Sequence, residues 1–288
     1  TRLGFLIMSN FSDFIGGSGG GGTLFTIPVT KSATWTPPFD GTAVIHVIGA
    51  GGSGATAQAI EKAGGGAAGG YSRKVVTLST GTNWTMVVGA SGAPQNGQGY
   101  GNAGGNSSAT DGSSTLTANG GGGGYNGSST AAAGGTASGG DVNNSGGAGG
   151  GGSLPVGTGG AVGILGTGNA GTNHDVGNND VSNSVYGGHS DVISPQFENT
   201  NGELRGGGRG GRSYTSPSTM QGDRCNGGFL AGGGAVYTQY VNTIQGGDGG
   251  TGAGGGSCSV GGSPTYLGRT TSGAGGHGLI IVMYTAIG

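Results

Sequence analysis

The segment Gly246-Gly-Asp-Gly-Gly-Thr-Gly-Ala-Gly-Gly-Gly256 consists mostly of glycine, in clusters with a period near three. Residues 205–212 and 146–152 repeat this pattern, and glycine supplies 80 of the 288 residues. Glycine loses more conformational freedom on ordering than any other residue. A chain that orders this much glycine must therefore recover the loss by packing its main chains closely, without an ordinary side-chain core.

Such runs can form the extended helix with three residues per turn and a rise of about 3.1 Å. This helix has no internal hydrogen bonds, so its N–H and C=O groups must find partners on neighbouring runs. Without Cβ atoms the helices can approach closely and form a compact slab. Loops that join the helices emerge at the ends of the slab, and loops on a rigid body form a recognition surface.

The low charge of the chain argues against several kinds of partner. Charged residues make up 8% of the chain and the net charge is −2, with one small basic concentration at Arg205, Arg209, Arg212 and Arg224. We therefore expect no nucleic-acid binding. No apolar run reaches the about 18 residues of a membrane span, so we expect no membrane insertion. The alternative interpretation of this composition is a linker-like or phase-separating low-complexity chain.

Strand patterns lie near both ends of the chain. Residues 23–29 predict an edge strand, because Pro28 cannot donate to a ladder. Residues 42–48 predict a strand with β-branched side chains on both faces. The most apolar segment, residues 278–285, has the length of one strand, and we predict that it returns to pair with the N-terminal strands.

Two further strand patterns, at residues 71–78 and 83–88, predict a hairpin around residues 79–82. The predicted fold is therefore all-β with irregular structure and almost no α-helix. A small sheet or sandwich, built from N-terminal and C-terminal strands, carries a bundle of polyglycine-II helices.

This fold divides the chain into three regions. Residues 1–22 form a docking peptide and glycine-rich tether, in which Phe11, Phe14 and Ile15 are the candidate contacts with another protein. A disordered terminus is the alternative. Residues 23–92 form a β-rich frame that the C-terminal strand 277–286 completes. Residues 93–276 form the glycine-rich helix slab with exposed loops.

Aromatic and planar polar side chains in the loops are the candidate binding residues, because they stack on sugar rings and fill protein pockets. They are His174, Asp175, Tyr186, His189, Phe197, Tyr214, Tyr237 and Tyr240, with Tyr100, Tyr125 and Tyr266 as further candidates. The alternative for each side chain is that it pins its loop against the slab.

The chemistry-bearing residues do not form a recognisable catalytic set. Cys225 and Cys258 can form a disulfide if the protein works outside a cell, and two unpaired buried thiols are the alternative. No CxxC or HExxH spacing occurs, so we expect no metal site. His174-Asp175 and His189-Ser-Asp191 lack a fitting nucleophile, so we expect neither enzyme activity nor a cofactor. His46, inside an apolar strand, is expected to be a hydrogen-bonded core histidine.

Several stretches resemble the glycine-rich domain of bacteriophage tail-fibre proteins. The segment Ser32-Ala-Thr-Trp-Thr-Pro-Pro-Phe-Asp-Gly-Thr-Ala-Val-Ile-His-Val-Ile-Gly-Ala-Gly-Gly-Ser-Gly54 looks like the opening of that domain. Residues 69–78, 84–92, 113–124 and 275–284 are similar to its later elements, in the same order. The middle of the chain is similar in composition to the tail-fibre tip adhesins of T-even-type phages, in which glycine-rich helices form a sandwich and the intervening loops bind host receptors.

The resemblance implies an extracellular virion protein of the phage tail. Its partners would be other tail or fibre proteins and a receptor on the host cell surface, either a glycan or an outer-membrane protein. The oligomeric state stays open between a trimer and a monomer carried on a trimeric fibre. A structural fibre component without receptor contact is the alternative. An ice-binding protein is a third hypothesis, disfavoured because the glycine runs lack a regular column of Thr or Ala.

Overall fold

The computed structural model describes residues 23–58, 62–151, 156–174, 214–216, 226–238, 244–260 and 270–286. In chain order the strands are β1 (Thr23–Val29), β2 (Ala33–Trp35), β3 (Gly41–Ile48), β4 (Thr56–Gln58), β5 (Tyr71–Leu78), β6 (Trp84–Val87), β7 (Ser107–Thr110), β8 (Thr115–Ala118), β9 (Ala137–Ser138), β10 (Val142–Asn144), β11 (Val156–Gly157), β12 (Asn173–His174), β13 (Tyr214–Ser216), β14 (Val236–Thr238), β15 (Ile244–Gln245), β16 (Cys258–Val260), β17 (Thr270–Thr271) and β18 (Leu279–Ala286). These ranges contain no α-helix, so the all-β prediction is confirmed.

Two antiparallel five-stranded sheets form a sandwich. Sheet A has the order β1-β18-β3-β5-β10, and sheet B has the order β2-β6-β7-β8-β9. Strand β18 pairs with β1 on one side and β3 on the other, which confirms the predicted return of the C-terminal segment. Strand β1 lies at an edge of sheet A, as the proline at position 28 predicted.

The predicted hairpin of residues 71–78 and 83–88 is wrong. Strand β5 pairs with β3 and β10 in sheet A, whereas β6 pairs with β2 and β7 in sheet B. The turn at residues 79–82 therefore crosses from one sheet to the other. Both arrangements bury every second side chain, so the alternating pattern alone does not distinguish a hairpin from a crossover between packed sheets.

The main apolar core fills the space between the two sheets. Ile45 and Ile280 of sheet A meet Trp84 and Met86 of sheet B there, all of them buried. A second apolar cluster covers the outer face of sheet A, where Val162, Ile164 and Leu230 pack on the strands. Strand β3 contributes to both clusters, which confirms that its two faces are buried.

The glycine runs form a bundle whose hydrogen bonds repeat every three residues. In the run 49–56, the amides of residues 49, 52 and 55 donate to carbonyls of the run 64–70. The amides of residues 50, 53 and 56 donate to the run 99–105, and those of residues 51 and 54 donate to the run 273–276. These N···O distances are 2.9–3.1 Å. Each third residue faces the same neighbour, which is the repeat of a helix with three residues per turn.

Carbonyl groups of the same run face three further neighbours. Residues 50 and 53 accept from the run 121–124, residues 52 and 55 accept from the run 255–258, and Gly51 accepts from Gly92. Six runs therefore surround one central run. The main chain satisfies its own polar groups without a sheet or an α-helix, as buried amides require.

Most glycines in the bundle sit where a side chain has no room. A Cβ atom on Gly52 would overlap the carbonyl oxygen of Gly122, and a Cβ atom on Gly66 would overlap that of Gly52. By contrast, Ala67 and Ala68 are fully buried alanines at positions where a methyl group fits. Close approach of backbones therefore selects glycine at specific positions of each run.

The molecule has two different ends. Thr23 pairs with Ala286, so β1 begins and β18 ends at the same end of the sandwich, which we call the proximal end. The run 49–56 leaves β3 at Ile48, beside Leu279, and so points away from the proximal end. We call the far end of the bundle the distal end. Strands and runs alternate along the chain, since β7, β8 and β9 lie between successive runs.

Candidate functional site

Turns between outgoing and returning runs meet at the distal end. One of them, residues 95–98, follows the run 88–95 and contains Gly97 with a φ of +71°. The Gly97 amide donates to the Thr270 carbonyl at 2.9 Å, and the Thr56 hydroxyl donates to the Gly97 carbonyl. A glycine permits this left-handed conformation at no steric cost, so the turn is held in a single position between two neighbours.

A second distal turn covers residues 125–128. Gly127 has a φ of +68°, and its amide donates to the Lys62 carbonyl at 2.8 Å. The carbonyl of Tyr125 accepts from Gly64 at 2.8 Å. These bonds attach the turn to Lys62 and to Gly64 at the start of the run 64–70, so the turn has an ordered base.

Tyr100 and Tyr125 meet beside these two turns. Their ring centroids are 6.1 Å apart and their planes are nearly perpendicular, at 88°. Tyr100 is 62% exposed and Tyr125 is 40% exposed. Two large rings thus contact each other while presenting much of their surface to solvent. The structure brings these two further candidates together.

The sequence analysis did not predict that Tyr100 and Tyr125 pair. The feature that aligns the two tyrosines is the hairpin of β7 and β8, where Ser107 pairs with Ala118. Each tyrosine lies seven residues from its end of that pair, along runs that continue side by side from the hairpin. A correct assignment of this hairpin would have placed the two rings at the same height in the bundle.

Some of the predicted receptor-binding residues lie on small distal strands. Strands β13, β14, β16 and β4 form a parallel sheet, in which Tyr214 is paired with Val236 and Tyr237 with Ser259. His174 is paired with Val156 in the two-stranded sheet of β11 and β12. The main chains of His174 and Tyr237 therefore follow the outer ends of glycine runs, and Tyr214 lies beside Val236 in the parallel sheet.

Other predicted residues lie outside the described residues, and their roles stay predictions. They are the receptor-binding candidates Asp175, Tyr186, His189, Phe197, Tyr240 and Tyr266, the docking candidates Phe11, Phe14 and Ile15, and Cys225.

Cys258 is fully buried in the bundle. Its Sγ donates to the Ile244 carbonyl at 3.7 Å, and burial raises the pKa of the thiol. A thiol held in the protonated form is a poor nucleophile and metal ligand. In the described ranges no group of three His, Cys, Asp or Glu side chains could hold a metal ion. The part of the chain that the structure covers also contains no helix able to cross a membrane.

His46 is a buried core histidine, as predicted. Its Nδ1 forms a hydrogen bond of 2.8 Å with the Tyr71 hydroxyl, whereas its Nε2 lacks a partner among the described residues. Burial, together with the smaller effect of the nearby Arg73 charge, lowers the pKa of His46 to about 3. The imidazole is therefore neutral at physiological pH. His46 belongs to β3 of the sandwich and not to the distal turns.

A search among curated protein sequences returns no match. The sequence profile of a glycine-rich domain matches residues 26–285. This match runs from β1 to β18 and so includes both sheets and the bundle. The chain therefore belongs to the glycine-rich domain family.

Proposed function

We propose that the protein is a bacteriophage tail-fibre or tail-tip adhesin that binds a receptor on the surface of its bacterial host. The receptor would be a glycan or an outer-membrane protein. The observation that carries this proposal is the two-ended organisation of the fold. Strands β1 and β18 bring residues 23 and 286 to the proximal end, whereas turns between glycine runs lie at the distal end.

The bundle supports the proposal because it is a densely hydrogen-bonded base for the distal turns. Its cohesion comes from hydrogen bonds between main chains, which do not depend on the side chains in the turns. Residues on loops above a rigid scaffold are common binding residues. The candidate residues His174 and Tyr237 follow runs that end on this side of the molecule, and the strand of Tyr214 pairs with the strand of Tyr237.

The proximal end is the natural side for attachment to the phage. In this proposal, the peptide with Phe11, Phe14 and Ile15 binds another tail or fibre protein, and the tether 16–22 connects it to Thr23. The protein would then act outside the cell as part of the virion. Neither a cofactor nor a catalytic step is needed for this role.

Binding of the purified chain to host cells tests the proposal. We expect the chain to bind, and we expect a variant with residues 173–200 exchanged for an unrelated loop to lose binding. The matched control exchanges the turn 111–114 between β7 and β8, which lies at the proximal end. The control variant should bind as the unmodified chain does.

One result would instead support a structural fibre component without receptor contact. In that case, replacement of the distal loops would leave infection intact, while deletion of residues 8–22 would abolish assembly of the virion.

A further inference from the structure

Tyr100 and Tyr125 form an aromatic corner beside the distal turns of the bundle. Their rings stand at 88° with centroids 6.1 Å apart, so the face of one ring meets the edge of the other. The remaining exposed large apolar side chains among the described residues are Val75, Val87 and Leu165, which are aliphatic. Exposed aromatic contact area is therefore concentrated beside the distal turns.

The corner is built in advance by the main chain. Gly101, next to Tyr100, donates to Gly124, next to Tyr125, at 2.9 Å. The carbonyl of Tyr125 accepts from Gly64 of the run 64–70. A ligand would therefore not have to order the two segments when it binds, and aromatic side chains lose little entropy on binding.

Among the described residues, those around the corner are polar and carry little charge. Asn102 is exposed, and its Nδ2 is fixed by a hydrogen bond of 2.9 Å to the Ala93 carbonyl. Lys62 is the one charged side chain near these turns within the described ranges. An anionic ligand would find only this one lysine to offset its loss of hydration, and a cationic ligand would find no carboxylate among the described residues there. A neutral ligand with many hydroxyl groups fits amides and ring faces.

We propose that Tyr100 and Tyr125 form a binding subsite for a neutral pyranose sugar. The C–H bonds on one face of the sugar carry partial positive charge and pack against the negative face of a tyrosine ring. The hydroxyl groups at the rim of the sugar meet the neighbouring amides. This inference deepens the proposed function, on which it rests, by naming a neutral glycan as the receptor chemistry recognised at this part of the distal end.

The test measures binding of the full chain to an array of neutral oligosaccharides built from glucose, galactose, mannose and N-acetylglucosamine. Ultraviolet difference spectroscopy of tyrosine follows titration with each sugar that binds. We expect Tyr100→Ala and Tyr125→Ala each to weaken binding by about tenfold or more, as loss of a central aromatic contact does. Tyr100→Phe should retain most of the affinity, because it keeps the ring.

The matched control is Leu165→Ala, which removes an exposed side chain of the described residues away from the corner. Its affinity should be unchanged, and all variants should melt at the temperature of the unmodified chain. Binding to none of the sugars at millimolar concentration would overturn the subsite. Equal affinity of the tyrosine variants and the unmodified chain would also overturn it.

A cell-binding arm separates this inference from the proposed function. If the chain binds host cells equally well before and after periodate oxidation of their surface sugars, the adhesin proposal stands and the sugar subsite fails. If the chain binds array sugars through the two tyrosines but binds no host cells, the subsite stands and the adhesin proposal fails.

Discussion

Adjacent glycines of one run differ sharply in the space around them. A Cβ atom on Gly121 would overlap the carbonyl oxygen of Ala67, whereas the nearest atom to a Cβ on Gly122 is the Ala133 oxygen at 3.3 Å. The two positions share the same run and the same backbone class, since neither has a positive φ. They therefore separate the effect of packing from the effect of chain entropy.

We expect Gly121→Ala to lower the free energy of unfolding by about 1–3 kcal/mol, or more, because the added methyl group forces two backbones apart. Gly122→Ala should stay within about 1 kcal/mol of the unmodified chain, since the reduced freedom of the unfolded chain offsets a slightly tight contact. Urea unfolding of both variants measures the difference. Equal destabilisation by the two substitutions would contradict the packing described for this run.

His46 predicts a specific dependence of stability on pH. Its pKa is about 3 in the folded protein, compared with about 6.5 in an unfolded chain. Between these values the unfolded state holds a proton that the folded state does not. The contribution to stability is therefore complete above about pH 6.5 and decreases as the pH falls toward 3, by about 4–5 kcal/mol in total.

Urea unfolding between pH 4 and pH 7 measures this slope, and His46→Gln is the comparison. The variant removes the titrating imidazole beside Tyr71 and Arg73, so its stability should change less over this interval. The same slope in both proteins would show that other groups cause the pH dependence.

Composition predicted that glycine is needed, but not which glycines are needed. The space at Gly121 depends on Ala67, which is distant in sequence and belongs to another run. The pairing of Tyr100 with Tyr125 depends in the same way on two runs aligned by a hairpin. Local patterns carry no information on such neighbours, because glycine runs have no apolar face that specifies their partners.

At the scale of elements, strands were more predictable than their connections. The apolar segment near the C-terminal end predicted an interior strand, because a buried strand needs apolar side chains. The proline in β1 predicted an edge strand, because proline has no amide donor for a second neighbour. The predicted hairpin pairing of β5 with β6 was wrong because buried residues alternate in the same way within one sheet and across a sandwich.

The three-residue repeat makes each run sensitive to insertion. One glycine inserted after Gly52 would rotate residues 53–56 by one third of a turn, so their amides would face the wrong runs. We expect a large drop in melting temperature. One glycine inserted after Thr130, in the exposed residues that follow the distal turn 125–128, is the control and should have little effect, because longer surface turns add little entropic cost. Similar melting temperatures for the two insertions would contradict the repeat.

At the scale of the whole molecule, stability is shared between an apolar sandwich and a bundle of main chains. Hydrogen exchange tests this division. Amides of the runs 49–55 and 64–70 should exchange as slowly as those of β3 and β18, because both sets are buried and hydrogen-bonded. The amide of Gly81, in the turn 79–82, lies at an exposed position and should exchange quickly, so it serves as the internal reference. Fast exchange throughout the runs would instead support a low-complexity chain without fixed structure.

The direction of the runs has a mechanical consequence. They extend from the sandwich toward the distal turns, and their hydrogen bonds cross between neighbours, roughly perpendicular to that direction. A pull between a distal turn and Thr23 would load many of these bonds together in shear, instead of peeling them apart one after another. A glycine-rich sequence with the composition of a flexible linker would then resist extension, because many hydrogen bonds along each run would have to break at once.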